Sequence, residues 1–157
     1  MNWTRSMMTW VLVAIAVLVV GCGSAPTNAG PVYTPEEIAQ IQRYTTEVSD
    51  LRDRLTEAVP PMIANEEWLD VETFIHGPLG ELRTKMASLT RSLEPKLQSQ
   101  SQQTARDVFG HLVKLDEAAR GRASVKAIVN YNGAIEDLAA FLNQVPAEVR
   151  GTDEPSV

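Results

Sequence analysis

Residues 124–146 read SVKAIVNYNGAIEDLAAFLNQVP. Apolar side chains recur at Val125, Ile128, Tyr131, Ile135, Leu138, Leu142 and Val145, in steps of three or four throughout. Such steps keep successive side chains on one stripe of a helix with about 3.6 residues per turn. A strand would need alternation at every second residue, and this stretch has none. Ser124 is read as the cap of this helix, and Pro146 as its stop.

Three more segments upstream carry the same period. The first opens at Thr34-Pro35-Glu36-Glu37, a capping box with proline in the first turn. Its stripe is Ile38, Ile41, Tyr44, Val48, Leu51, Leu55, Val59 and Met62. Pro60-Pro61 removes two backbone donors near its end, so a kink or break is expected there. The second runs from about Glu66 to Leu93 through Trp68, Val71, Ile75, Leu79, Leu82, Met86 and Leu89. A local irregularity is expected at Gly77-Pro78. The third starts at Pro95 and carries Leu97, Ala105, Val108, Leu112, Leu115 and Ala119. Its polar run 98–103 reads either as loop or as solvated first turns, and Gly121 as its end. Short connections make sequential helices antiparallel, so the fold is all-α, an up-down-up-down antiparallel four-helix bundle over residues 35–145. Residues 146–157 are expected to be a loose tail.

The opening of the chain reads differently. Arg5 precedes an apolar run over 7–20, shorter than the ~20 residues a membrane-spanning helix needs. Small residues follow, as at the end of a cleaved signal peptide. Val19-Val20-Gly21-Cys22 matches the bacterial lipobox, and Cys22 is the only cysteine, with no partner for a disulfide. The expectation is a signal peptide over 1–21 and a lipid on Cys22. Residues 22–34, rich in Gly, Ser, Ala, Pro, Thr and Asn, then form a flexible tether. More than one acyl chain anchors a protein stably to a membrane surface.

Removing 21 of 157 residues, Arg5 among them, leaves 136 with 13 basic against 20 acidic side chains, a net charge of −7. Such a surface argues against nucleic acid as a partner and against a basic helix lying on anionic lipid. The histidines, His76 and His111, fall on different expected helices, so no local metal motif exists. They are the metal candidates only if folding brings them to carboxylates such as Glu72, Asp107 or Asp116. Weak zinc binding is the form that site would take. No GxSxG motif, phosphate loop or duplicated ExxH of a di-iron bundle occurs, and no cysteine remains for nucleophilic work after lipidation. An enzyme is not expected, nor a cofactor beyond the covalent lipid. Arg120, Arg122 and Lys126 gather at the turn before the last helix, and Arg83, Lys85 and Arg91 mark the second. These basic residues are candidate docking points for an acidic partner.

Two stretches go further than periodicity. EEWLDVETFIHGPLGELR at 66–83 resembles the second helix of the PsbQ-like lipoproteins of cyanobacterial photosystem II. DVFGHLVKLDEAA at 107–119 resembles their third. The lipobox, the YTPE start at 33–36 and the four-helix plan agree. The chain departs from that pattern at Pro60-Pro61 and in its longer tail. The resemblance implies a non-catalytic extrinsic subunit on the lumenal side of the thylakoid membrane, anchored by its lipid. Its implied partners are the photosystem II core and the manganese-stabilising extrinsic subunit. Its implied role is to stabilise the oxygen-evolving complex, with its calcium and chloride, and the assembled dimer. Cys22 alone carries over with a defined role. The residues leave open an alternative, a periplasmic lipoprotein that binds a metal or chaperones another envelope complex.

Overall fold

A computed structural model describes residues 32–151. The signal segment 1–21, Cys22 and its lipid, most of the tether and the tail from 152 lie outside the described residues. The helices are α1 Pro35–Ala64, α2 Trp68–His76, α3 Leu82–Ser92, α4 Pro95–Arg120, α5 Ser124–Asn143 and the short α6 Ala147–Arg150. No strand occurs among the described residues, and none of their helices is long and apolar enough to cross a membrane.

The capping box at the start of α1 is formed. Thr34 Oγ1 accepts from the Glu37 N–H at 3.3 Å, and Glu37 Oε2 accepts from the Thr34 N–H at 2.8 Å. Each bond satisfies a donor that the first turn leaves unpaired. Beside it, buried Tyr33 accepts from the backbone N–H of Glu94 at 3.0 Å, which ties the start of α1 to the turn after α3.

Of the kink or break expected at Pro60-Pro61, the break does not occur, and α1 runs through both prolines to Ala64. The carbonyls robbed of their donors belong to Thr56 and Glu57, both exposed, so water can serve them. Val59 and Ile63, buried on either side, hold the helix to its path. In the second leg the reverse happens. The irregularity expected at Gly77-Pro78 is a complete break, and α2 and α3 are separated by residues 77–81. The Gly77 N–H bonds the Thr73 carbonyl at 2.8 Å, and the Leu79 N–H reaches back to the Phe74 carbonyl at 3.2 Å. Phe74, Leu79 and Leu82 are all buried, so the apolar seam crosses the break although the helix does not. The second helix also begins at Trp68 rather than Glu66.

Taken as one broken leg, α2 and α3 pack against α1 and α4; α4 packs against α5, and α5 returns to α1. No such packing joins α1 to α4, or α5 to the broken leg. That closed ring of sequence neighbours is the antiparallel up-down-up-down bundle. Its core takes Ile41, Val48, Leu51, Leu55 and Val59 from α1, Val71, Leu82, Met86 and Leu89 from the broken leg, and Val108 and Leu115 from α4. Each large apolar side chain so buried contributes about 1.5–3 kcal/mol.

Of the two readings of the polar run 98–103 the helical one holds, with Ser101 wholly buried. Two expectations are corrected by the packing. The tail does not begin loose at Pro146: in α6, packed on α1, Val149 is buried, and Arg150 Nη2 donates to the Val145 carbonyl at 2.7 Å. The stripe of α5 holds from Tyr131 to Val145 but not at its start. Val125 is 76% and Val129 60% exposed, with Ile128 beside them, whereas Ala127, Ala134, Leu138, Phe141 and Leu142 face inward. Small side chains let α4 and α5 approach closely, and that close contact takes the alanine face rather than the branched one.

Helices α1 and α4 end alike. The Ala123 N–H reaches the Ala118 carbonyl at 2.9 Å and the Arg122 N–H that of Ala119 at 3.0 Å. Glu67 and Glu66 make the same pair of bonds to Met62 and Ile63. In this motif one residue must be left-handed, and here it is Arg122 (φ 49°) and Glu66 (φ 59°). Gly121, expected as the stop, lies one position early with an ordinary helical φ of −82°. Ser124 is the first helical residue rather than the cap.

Two substitutions should therefore move stability in opposite directions. Arg122→Gly relieves the left-handed strain and is expected to stabilise by about 0.5–1 kcal/mol. Gly77→Ala places a β-carbon 2.9 Å from the Thr73 carbonyl oxygen and is expected to destabilise by about 1–3 kcal/mol. Urea unfolding of the two variants beside the wild type measures both.

Candidate functional site

Helix α4 presents charged and aromatic groups to both of its neighbours, and the candidate residues collect there. Near its C-terminus Asp116 is 7% exposed. A carboxylate taken out of water must be paired, and this one is. His76, the last residue of α2, places Nε2 3.0 Å from Asp116 Oδ1. Arg120, one turn further along α4, donates to Asp116 Oδ2, and its Nε lies 3.5 Å from Glu72 Oε2 on α2. The four side chains clamp α2 onto α4. Of the docking candidates, Arg120 thus has its charge engaged within the bundle. His76 does meet one of the carboxylates foreseen for it, as the cross-helix end of a hydrogen bond.

His111 lies on the side of α4 that faces α5. Its ring rests on Gly133, where an added β-carbon would come within 2.5 Å of Cε1. Nδ1 lies 3.2 Å from Asn130 Oδ1, and Nε2 3.7 Å from Asp137 Oδ2. Burial holds the Asp137 carboxyl above its usual value, against the lowering influence of His111; Asp107 and Glu136 push the same way as burial. Each histidine keeps its own partners, on opposite sides of α4. Among the described residues no group of three or more His, Cys, Asp and Glu is arranged to hold a metal ion.

The other candidates are on the surface. Arg122 and Lys126 are exposed at the α4–α5 turn. Arg83, on α3, lays its guanidinium over the Phe109 ring of α4 at 4.0 Å from the centroid. Around that stacked pair run two connected depressions between the broken leg and α4, of about 360 and about 250 Å³, which share Arg83 and Phe109. Arg91 and Arg106 border the larger one. Sequence reasoning singled out Arg83 for docking but not Arg106, since only the α3–α4 packing brings the two to one place. Lys85, a neighbour of Arg83 in sequence, is drawn away into an ion pair with Glu47 of α1 at 3.0 Å. A second exposed feature is apolar, Val125, Ile128 and Val129 on the outer face of α5.

Two comparisons bear on what such a bundle is. The model of the PsbQ family, described as oxygen evolving enhancer protein 3, matches residues 2–146. CyanoQ of Synechocystis sp. is 39% identical over 146 residues, covering 93% of this chain and 98% of that protein. The match includes the opening segment, the broken leg and α4 alike.

The burial of Asp137, which outweighs the opposing pull of His111, predicts a pH signature. A carboxyl raised above its unfolded value supports folding while protonated, and that support is lost as pH rises through the folded value. Asp137→Asn lacks this loss. Urea unfolding at about pH 3 and at about pH 7 should show the variant gaining on the wild type at the higher pH. A stability difference independent of pH would contradict the assignment.

Proposed function

Because the chain belongs to the PsbQ family, we propose that it is an extrinsic, non-catalytic subunit of photosystem II on the lumenal side of the thylakoid membrane. The observation that carries this reading is the family match across nearly the whole chain. The bundle fits the role in physical terms. Its titratable candidates are engaged in cross-helix contacts: His76 on Asp116, Arg120 on Glu72, and His111 on Asn130 and Asp137. What it offers a partner is a rigid surface with charged and apolar patches.

In this reading the lipid on Cys22 holds the protein at the membrane, and residues 23–32 act as the tether, two residues shorter than expected because Tyr33 is buried and Thr34 caps α1. A tether of that length has a root-mean-square span of about 20 Å. It raises the local concentration of the bundle at a membrane-embedded partner without a large interface. Docking beside the manganese-stabilising extrinsic subunit would place it where it can stabilise the oxygen-evolving complex, help retain calcium and chloride, and support the dimer.

The test is a pull-down of tagged, lipidated protein from solubilised thylakoid membranes, read by chlorophyll absorbance and oxygen evolution. Enrichment of active photosystem II is expected. A chlorophyll-free eluate from well-folded, lipidated protein would transfer the function to the periplasmic alternative. Cys22→Ala should reduce retention after washing by about tenfold or more, with the helical circular dichroism unchanged. Equal co-purification of that variant would count against the tether.

A further inference from the structure

Four cations of α1 to α4 are matched by carboxylates. Arg52 pairs with Asp53, Lys85 with Glu47, Lys96 with Glu94, and Arg120 with Asp116 and Glu72. Around the larger α3–α4 depression three unmatched cations converge. Arg83, Arg91 and Arg106 all border it, all are exposed, and none forms an ion pair with a carboxylate among the described residues. Yet the chain is acidic, with a net charge of −6, so carboxylates are not scarce.

The three guanidinium groups are positioned by neutral groups instead. Arg83 stacks on Phe109 at 4.0 Å, Arg91 Nη2 donates to Ser88 Oγ at 3.1 Å, and Arg106 Nη2 donates to Gln103 Oε1 at 2.6 Å. Such contacts orient the planar forks without neutralising them, and most of their N–H donors stay free. Between them Phe109, Ala87 and Ala105 form an apolar lining, and the volume of about 360 Å³ suits one or two side chains. Thr90, also in the lining, is buried, and its hydroxyl has no hydrogen-bond partner in the fold.

We propose that this depression is where the protein takes an acidic segment of its partner protein, carboxylates against Arg83, Arg91 and Arg106 and an apolar side chain against Phe109. The inference rests on the reading as a photosystem II subunit and deepens it by naming the docking face and its chemistry. Free guanidinium forks take carboxylates in bidentate fashion. The apolar lining gives the segment an anchor that a bare anion lacks. A nucleic acid or an anionic bilayer presents negative charge over an area wider than the depression and would meet the acidic remainder of the chain, whereas a short acidic segment meets the arginines alone. The basic turn at Arg122 and Lys126 is the competing face. It has no aromatic floor, and a carboxylate already stands among its cations: the depression there is lined by Lys114, Glu117, Lys126 and Asn130, with only Ala118 and Ala123 as apolar side chains.

The experiment uses the full-length lipidated protein with solubilised thylakoid membranes at low salt and compares four forms. They are the wild type, the groove triple Arg83→Gln/Arg91→Gln/Arg106→Gln, the turn triple Lys114→Gln/Arg122→Gln/Lys126→Gln, and Gln102→Glu. The last places a carboxylate from an exposed position inside the ring of arginines, so it competes with the partner without disturbing the core. The wild type and turn triple are expected to capture chlorophyll equally. The groove triple should lose about tenfold or more, and Gln102→Glu should also lose capture, each with unchanged circular dichroism. Capture by the wild type that neither groove variant weakens would overturn the groove and leave the subunit reading standing. Equal loss from both triples would make net charge the cause and overturn it as well. No capture by the wild type would remove the subunit reading, and this inference with it. Binding of the wild type to phosphatidylglycerol vesicles that the groove triple abolishes would reassign the groove to lipid headgroups.

Discussion

The close approach of α4 and α5 sets the rest of the bundle. Ala118 and Ala119 on one helix, and Ala127 and Ala134 on the other, are buried with almost no side chain to separate the backbones. Gly133 leaves room for the His111 ring, which fills the gap that the missing β-carbon creates. Close packing of small residues gains many short dispersion contacts, but it tolerates no added volume. It therefore decides the rotation of α5 about its own axis. Once the alanine face is inward, Val125, Ile128 and Val129 must point to solvent, whatever their hydropathy. Toward its other end α5 returns to larger side chains, Leu138, Phe141 and Leu142, which fill the wider space.

With one side of α4 committed to α5, its other side meets the broken leg and holds the polar clamp. Asp116 is the one buried charge among the described residues, and it draws His76 and Arg120 to itself. The desolvation cost of that carboxylate is offset only while both partners stay in place. The clamp and the break in the second leg belong together. His76 is the last residue of α2, and Gly77 bonds back to Thr73 directly after it. Ending the helix there leaves the imidazole at the rim of the contact. Beyond the break, α3 is free to take its own path along α4, and the depressions with Arg83 and Phe109 lie along that path.

The bundle itself was legible in the sequence. The capping box at Thr34, the periodic stripes of α1, the broken leg and α4, and the short connections all depend on neighbours three or four residues away. The prolines divided in an instructive way. Pro78 sits beside a glycine whose backbone can turn, and the helix breaks; Pro60 and Pro61 lie on an exposed face between buried Val59 and Ile63, and it does not. A proline removes a backbone donor in both places; the glycine beside Pro78 and the buried residues flanking Pro60 and Pro61 decide between the outcomes. Arg122 in the left-handed position, with Gly121 beside it, shows the same limit: composition pointed to the turn but missed the register by one residue.

For function, the segments at 66–83 and 107–119 identified the family before any coordinate, and the comparisons agree over almost the whole chain. The candidate docking surface was only partly readable. Arg83, Arg120 and Arg122 look alike as letters, yet one stacks on Phe109, one is bound to Asp116, and one forms a turn. By itself the sequence determined the helices, their order and the antiparallel plan, because hydrogen bonds and apolar periods within a helix are local. Only the tertiary structure decided which arc of α5 faces inward, whether a proline breaks its helix and which cations remain unpaired. Those outcomes depend on contacts between residues tens of positions apart, and no short window of the chain contains them.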